Sequence, residues 1–399
     1  MNFKLFALFL AGCTVANASD WRQFRGPFGN GFSDETSVPA TLEGDKSIAW
    51  KINLPGEGVS SPIIVGDRVF ITCSGGLKQQ RLYVICLNAK DGSTIWERQF
   101  WATGRTMCHD KTSVAAPTPV SDGKQVVAMF SSSDVIALDL DGNLLWFRGL
   151  GRDYPNASNS LGMTSSLIIA GGVVIAQVEN DSESFTAGLN LKTGVNQWKL
   201  DRPKHANWTS PVVWKVGDHE VVSLQSTKGV TTIDAATGKL IWEYTDGASP
   251  TPSSALHRGV LYVPSHGLTA LQPGAPGEAP RQLWRSSQLR PGTASPTIIG
   301  ENVFILNDGG VLTCGEISTG NRLWQLRLQG PFSATPVAAG KYLFCVNEKG
   351  LAQVVDTSKP EGEVVGQLDL AEKILSTPSI SGGAIYFRSD TRLWKIGKS

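Results

Sequence analysis

The sequence predicts an all-β protein, an eight-bladed β-propeller of four-stranded antiparallel blades, and three observations carry that prediction. Trp50, Trp96, Trp146, Trp198, Trp242, Trp284 and Trp324 recur at intervals of 46, 50, 52, 44, 42 and 40 residues. A period of this size marks a repeat architecture. Each Trp is followed by a small-residue step into an apolar strand, at Ser61-Pro62, Thr118-Pro119, Ser165-Ser166, Ser210-Pro211, Thr251-Pro252, Ser295-Pro296, Thr335-Pro336 and Thr377-Pro378. The last unit, ending Leu393-Trp394-Lys395-Ile396, is one strand short, and the strand around Trp50 has no blade of its own ahead of it.

Within a unit the elements follow in a fixed order. A short strand such as Pro296 to Ile299 meets a tight turn, here Gly300-Glu301 and elsewhere Gly66-Asp67, Asp122-Gly123, Gly171-Gly172 or Gly382-Gly383. Gly, Asp and Asn at central turn positions suit two-residue hairpins. The second strand is β-branched and aromatic, as in Val69-Phe70-Ile71, Val303-Phe304-Ile305 and Tyr342-Leu343-Phe344. A polar turn and a third strand come next. Gly then stands four residues before Trp, in the pairs Gly92/Trp96, Gly142/Trp146, Gly194/Trp198, Gly238/Trp242 and Gly320/Trp324. That Gly supplies a positive-φ corner, and the Trp falls on an outer strand that covers the neighbouring sheet. Counting back from Pro378 places Gly366 in the slot of an eighth Trp.

Closed rings leave no open sheet edge. The strand Ile48-Ala49-Trp50-Lys51 is therefore expected to complete the last blade. The organisation read from the chain is residues 1–18 as a signal peptide, 19–47 as an N-terminal extension and 48–399 as the propeller.

Residues 1–18 carry one cation, Lys4, and an apolar run from Leu5 to Ala11, too short to span a bilayer. Cleavage after Ala18, in Ala16-Asn17-Ala18, is favoured over a lipid anchor at Cys13 in Leu10-Ala11-Gly12-Cys13. Either reading places the protein in the bacterial periplasm or cell envelope, with no transmembrane span after signal removal. The chain has 36 Lys plus Arg against 35 Asp plus Glu, and only 18% of its residues are charged. Such a balance argues against nucleic acid as a partner.

The segment Ile233-Asp234-Ala235-Ala236-Thr237-Gly238-Lys239-Leu240-Ile241-Trp242 resembles the tryptophan-docking repeat of the pyrroloquinoline-quinone-binding-like propellers. That superfamily holds quinoprotein alcohol dehydrogenases and an exported scaffold of the outer-membrane barrel assembly machinery. The resemblance covers about residues 48–399, and Trp21-Arg22-Gln23-Phe24-Arg25-Gly26-Pro27 resembles the opening of exported bacterial propellers of this type. Pro273 to Trp284 in the fifth unit and Gly362 to Gly366 in the seventh depart from the pattern, so docking there is expected to be looser.

Function on a propeller sits in loops at one end of the channel. The two longest inter-blade loops are adjacent: one carries Trp101, Arg105, Cys108, His109, Asp110 and Lys111, the other Arg152, Asp153, Tyr154, Asn156 and Asn159. Asp134, Glu179-Asn180-Asp181-Ser182-Glu183, Lys228, His266, Asn307-Asp308 and Asn347-Glu348 are expected on the same face. The ligand or partner candidates are therefore Trp101, Arg105, His109, Asp110, Arg152, Asp153, Tyr154, Asn180, Asp181, His266, Asn307 and Asp308. A polar ring around a mouth also simply holds water.

No catalytic constellation is present in the sequence. A quinoprotein dehydrogenase would show adjacent cysteines, whereas Cys73, Cys86, Cys108, Cys314 and Cys345 are scattered. There is no Cys-x-x-Cys-His and no zinc spacing among the five histidines. The residues predict no cofactor; the resemblance admits pyrroloquinoline quinone with calcium, for which Glu179, Asn180 and Asp181 offer hard oxygen ligands. Cys73 and Cys86 flank one hairpin and are read either as a disulfide or as buried free thiols. The expected role is a monomeric binding or scaffold module for an envelope protein or a small ligand, with a quinone-dependent oxidoreductase as the alternative.

Overall fold

A computed structural model describes residues 20–157 and 161–397; the signal peptide, Cys13 and Asn159 lie outside them. Eight four-stranded antiparallel sheets form in chain order. Blade 1 opens with Ile63–Val65 and ends with Thr94–Trp101, and blades 2 to 7 end with Leu144–Gly149, Asn196–Asp201, Leu240–Tyr244, Arg281–Ser286, Arg322–Arg327 and Glu363–Asp369. Blade 8 takes three strands from the end of the chain and its fourth from Ile48–Asn53, which runs antiparallel to Arg392–Gly397. The ring closes as the sequence predicts. Among the described residues four-residue Leu150–Asp153 is the one α-helix, and no helix is long and apolar enough to cross a membrane.

The Trp/Gly spacing becomes a lock between blades. The rings of six of the seven outer-strand tryptophans lie on the corner Gly of the following blade, Trp50 on Gly92, Trp96 on Gly142, Trp146 on Gly194, Trp198 on Gly238, Trp284 on Gly320 and Trp324 on Gly362. A Cβ at these glycines would meet the indole within 3.0 Å, and φ there is positive, so no other residue fits either the turn or the contact. The indole N–H then donates to a backbone carbonyl of that blade: Trp96 to Leu140 at 2.9 Å, Trp146 to Leu191 at 3.0 Å, Trp198 to Ala235 at 2.9 Å and Trp284 to Ile317 at 2.8 Å. Trp242, which faces the irregular fifth unit, has a buried indole N–H with no partner. Trp198→Phe should therefore cost about 1 kcal/mol for the lost bond and the orphaned carbonyl, whereas Trp242→Phe should leave the urea midpoint nearly unchanged. Equal shifts would refute this reading of the lock.

The fourth strand of every blade bulges at the Trp position, blade 7 included, where Gly366 faces Val354. Its empty slot is filled from outside the repeat: a Cβ on Gly366 would lie 2.4 Å from the carbonyl oxygen of Ala40. Val38 and Leu42 are buried in the same cluster as Leu368. The N-terminal extension thus replaces the eighth tryptophan.

That extension also roofs one face. Trp21 pairs with Ile64 of blade 1, the Arg22 carbonyl accepts from Ser121 of blade 2, and Phe32–Ser33 runs parallel to Val337–Ala339 of blade 7. The Glu35 carboxylate takes the backbone N–H groups of Gly382 and Gly383 in blade 8. All these contacts are to the inner strands and their hairpin turns, so the segment crosses the propeller axis opposite the loop-rich face.

Cys73 and Cys86 are buried free thiols. Cys73 faces Tyr83 and Cys86 faces Phe70 across the hairpin, and the two side chains enter different core clusters on opposite sides of the sheet. Burial pushes them up to about 11 and about 12, which leaves them protonated and unreactive near neutrality.

Candidate functional site

The central channel is built by the residues that open each first strand. One tier consists of the hydroxyls Ser61, Thr118, Ser166, Ser210, Ser253, Ser295, Thr335 and Thr377, and the tier above includes Val59, Ala116, Thr164, Trp208, Thr251 and Leu375. Together they line a cavity of ≈ 140 Å³ whose floor is Phe24 of the N-terminal extension. In blades 3 and 5 the tier uses Ser166 and Ser253, so Thr251 of the Thr251-Pro252 step stands one level higher. The backbone N–H of each tier residue donates to the hydroxyl of the next blade: Ser61 to Thr118 at 3.0 Å, Thr118 to Ser166 at 3.1 Å, Ser166 to Ser210 at 3.0 Å, and onward to Thr377. The chain of bonds stops where blade 8 meets blade 1, because the Ser61 hydroxyl has no partner among the described residues.

Beneath the tier lies Arg25, fully buried. Its guanidinium donates to the carbonyls of Ser254, at 2.8 Å, and Pro296. Burial lowers it to about 9 with no acidic group opposing, so the group stays charged at neutral pH, and its Nε has no partner. A second buried guanidinium, Arg388, sits between blades 8 and 1 and donates to the Ser60 carbonyl at 3.0 Å.

The two long insertions rise on the opposite, open side of the channel. Asp134, fully buried, fixes the start of the first: it accepts from the Thr103 backbone N–H at 2.9 Å and from the Thr103 and Ser132 hydroxyls. The loop then reaches blade 7 and the segment after it, where Lys111 pairs with Glu348 at 2.7 Å and Lys373 donates to the Asp110 carbonyl at 3.4 Å. Burial pushes the Glu348 carboxyl up, but hydrogen bonds from Lys111 and Ser333 outweigh it and hold the group below its ordinary range. The tie contributes stability above the unfolded carboxylate pKa near ~4.3 and loses it as pH falls through the lower folded value. The protection factors of amides across residues 106–112, that is exchange relative to the intrinsic rate at each pH, are expected to fall only below about pH 4; a fall between pH 5 and 7 would refute it.

The predicted residues fall on this face but do not converge on one point. Arg105 lines a polar cavity of ≈ 350 Å³ with Thr103, Ser131, Ser132, Ser133 and Gly151, between the two insertions. Trp101 is exposed beneath Arg81, His109 accepts from the Lys111 backbone N–H, and Arg152 is exposed. Asp153 pairs with Arg148, and Tyr154 packs on Phe185 with ring centroids 4.5 Å apart. Asp181 accepts from the Ala206 backbone N–H, His266 contacts Asp246, and Asn307 and Asp308 hold local turns and the Thr293 backbone N–H. Asn180 is buried, its amide donating to the Glu183 carbonyl at 2.6 Å.

Sequence reasoning missed what stands behind Asn180. Glu179 and Arg202, 1% and 2% exposed, form an ion pair at 2.6 Å, and Asn207 donates to the other Glu179 oxygen at 2.9 Å. Burial raises the Glu179 carboxyl and Arg202 opposes that shift. The signal was absent because Arg202 and Asn207 lie beyond the next strand. With both Glu179 oxygens engaged and Asn180 turned into its own loop, these residues do not converge as calcium ligands. Among the described residues no group of three His, Cys, Asp or Glu side chains gathers elsewhere.

Eight blades, most of them locked to the next by a tryptophan on a corner glycine, around a hydroxyl-lined channel define a propeller of the pyrroloquinoline-quinone-binding-like class. The chain belongs to the family described as outer membrane protein assembly factor BamB, whose profile matches residues 33–176, 160–265 and 277–365. It is similar to outer membrane protein assembly factor BamB of Moranella endobia, 25% identical over 184 residues, which is 45% of this chain and 42% of that one. It is also similar to a polyvinylalcohol dehydrogenase of Pseudomonas sp, 24% identical over 209 residues, 51% of this chain and 26% of that one. The chain thus matches less than half the length of these relatives. Among solved structures it resembles BamB from Moraxella catarrhalis, with TM-score 0.62, 17% identity and coverage of 86% and 95%. It resembles a europium-containing methanol dehydrogenase with TM-score 0.69, 13% identity and coverage of 94% and 90%. At these identities the structural likenesses show the fold alone.

Proposed function

We propose that this protein is an exported cell-envelope scaffold whose loop-rich face docks a partner protein during outer-membrane protein assembly. The observation that carries the reading is the asymmetry of the two faces. One is roofed by the chain's own residues 20–43, while the other bears both long insertions and the open channel mouth. Family membership supports the assignment to assembly. The face has the mixed polar character of a non-obligate interface, carrying Trp101 with Arg105, Arg152, Asp110, Asp181 and Asp308.

A deletion strain should contain less folded outer-membrane barrel protein. The wild-type chain should restore it, and a chain carrying Arg105→Glu and Arg152→Glu, with unchanged melting temperature, should not. Normal barrel levels in the deletion strain would overturn the proposal. The dehydrogenase relative motivates a second reading, a quinone-dependent oxidoreductase. Alcohol turnover after loading with pyrroloquinoline quinone and calcium would favour it, but the engagement of Glu179 by Arg202 and Asn207 argues against it.

A further inference from the structure

We propose that the central channel is a binding site for a small oxyanion, a carboxylate, phosphate or sulfate group held in the hydroxyl tier above Phe24. The proposal rests first on the direction of the hydrogen bonds in that tier. Seven hydroxyl oxygens, from Thr118 around to Thr377, each accept a backbone N–H from the preceding blade. Accepting uses one lone pair and leaves the O–H proton to be donated. None of these hydroxyls donates to any described residue, although all are 7% exposed or less. Ser61 adds an eighth with neither kind of partner. Buried hydroxyl donors are not left unsatisfied, so the tier needs acceptors inside the cavity it encloses.

Arg25 decides which kind of acceptor. It lies behind the channel floor, and with Phe24, Ser166, Ser210 and Ser253, which also line the channel, it borders a neighbouring pocket of ≈ 20 Å³. That space admits a single water. A buried cation without a counter-charge is costly, and the two carbonyls that Arg25 contacts supply only dipoles. An anion in the donor ring accepts from the hydroxyls and sets a counter-charge near this cation, whereas a metal cation there would be repelled. Phe24 and the N-terminal segment close the far end, so entry is from the loop-rich face. The ≈ 140 Å³ of the channel accommodates one tetrahedral or planar oxyanion with a few waters.

The test is calorimetric titration of the full chain with millimolar phosphate, sulfate and acetate, against chloride at equal ionic strength. These concentrations lie below those at which excluded salts stabilise proteins generally. One saturable site per chain is expected, weakened at least tenfold by Arg25→Met and by Thr335→Val. Preference for phosphate or sulfate identifies a free tetrahedral ion. Preference for acetate identifies a carboxylate, of the kind a docked partner's side chain would supply. Crystals of the unmodified protein soaked in selenate should show one anomalous peak inside the Ser/Thr tier, a readout that does not depend on the variants folding. Absence of saturable binding, wild-type affinity in Arg25→Met, or a selenate-free channel would each overturn the proposal and leave the tier as a water column.

Discussion

Glu179→Leu should destabilise the protein by about 3–5 kcal/mol, because it strands the buried Arg202 guanidinium without its carboxylate. The pair is closed off from solvent and shared with Asn207, so no water can replace the lost charge. The sharper form of the prediction is the double variant. Glu179→Leu with Arg202→Met replaces the ion pair by apolar groups of similar size and should recover most of the loss, since isosteric removal of both charges is often neutral or stabilising. Urea unfolding of the three variants measures this. A single variant within 1 kcal/mol of wild type would show that the pair contributes little, and a double variant no better than the single would place the effect in packing.

Trp21→Ala is expected to be comparably damaging, at about 3–5 kcal/mol for an emptied core site. Its ring is 1% exposed, packs in the cluster that joins blades 7, 8 and 1, and fills the space beside Gly26, whose φ is +77°. The indole N–H has no partner, so Trp21→Phe should lose only a fraction of that amount. The loss in Trp21→Ala should be accompanied by faster proteolysis within residues 20–43, because Trp21 anchors the start of the roofing segment to Ile64. Protease resistance equal to wild type would show that Arg25 and Phe32 hold the segment without it.

The architecture was legible because it repeats. Seven tryptophans and their corner glycines gave blade number, strand order and the closing strand; docking is incomplete at the irregular fifth unit, where Trp242 lacks its hydrogen bond, whereas at the seventh the Trp324 ring still lies on Gly362. The site was less legible. Residues such as Arg105 and Lys111 announce themselves by lying in long insertions, but their partners come from blades far along the chain, as Glu348 does. Arg25 and Phe24 sat in view within Trp21-Arg22-Gln23-Phe24-Arg25-Gly26-Pro27. Nothing local to that stretch specifies that it crosses the propeller axis, because its partners are backbone carbonyls, which carry no residue identity. The hydroxyl tier was visible as a small-residue step, and only the closed ring makes its members converge.

The strand Ile48–Asn53 is synthesised early, yet its pairing partner Arg392–Gly397 comes at the far end of the chain. Until then blade 8 has no outer strand and the growing fan of blades keeps two exposed edges that invite pairing with other chains. Ring closure must also overcome the loop entropy of almost the whole chain, a term that grows only slowly with length. Closing the ring thus requires segments far apart in sequence to pair, and a chain in which they have not yet done so carries open edges. A truncation that removes only residues 392–397 would leave every other blade intact and still produce an unclosed ring.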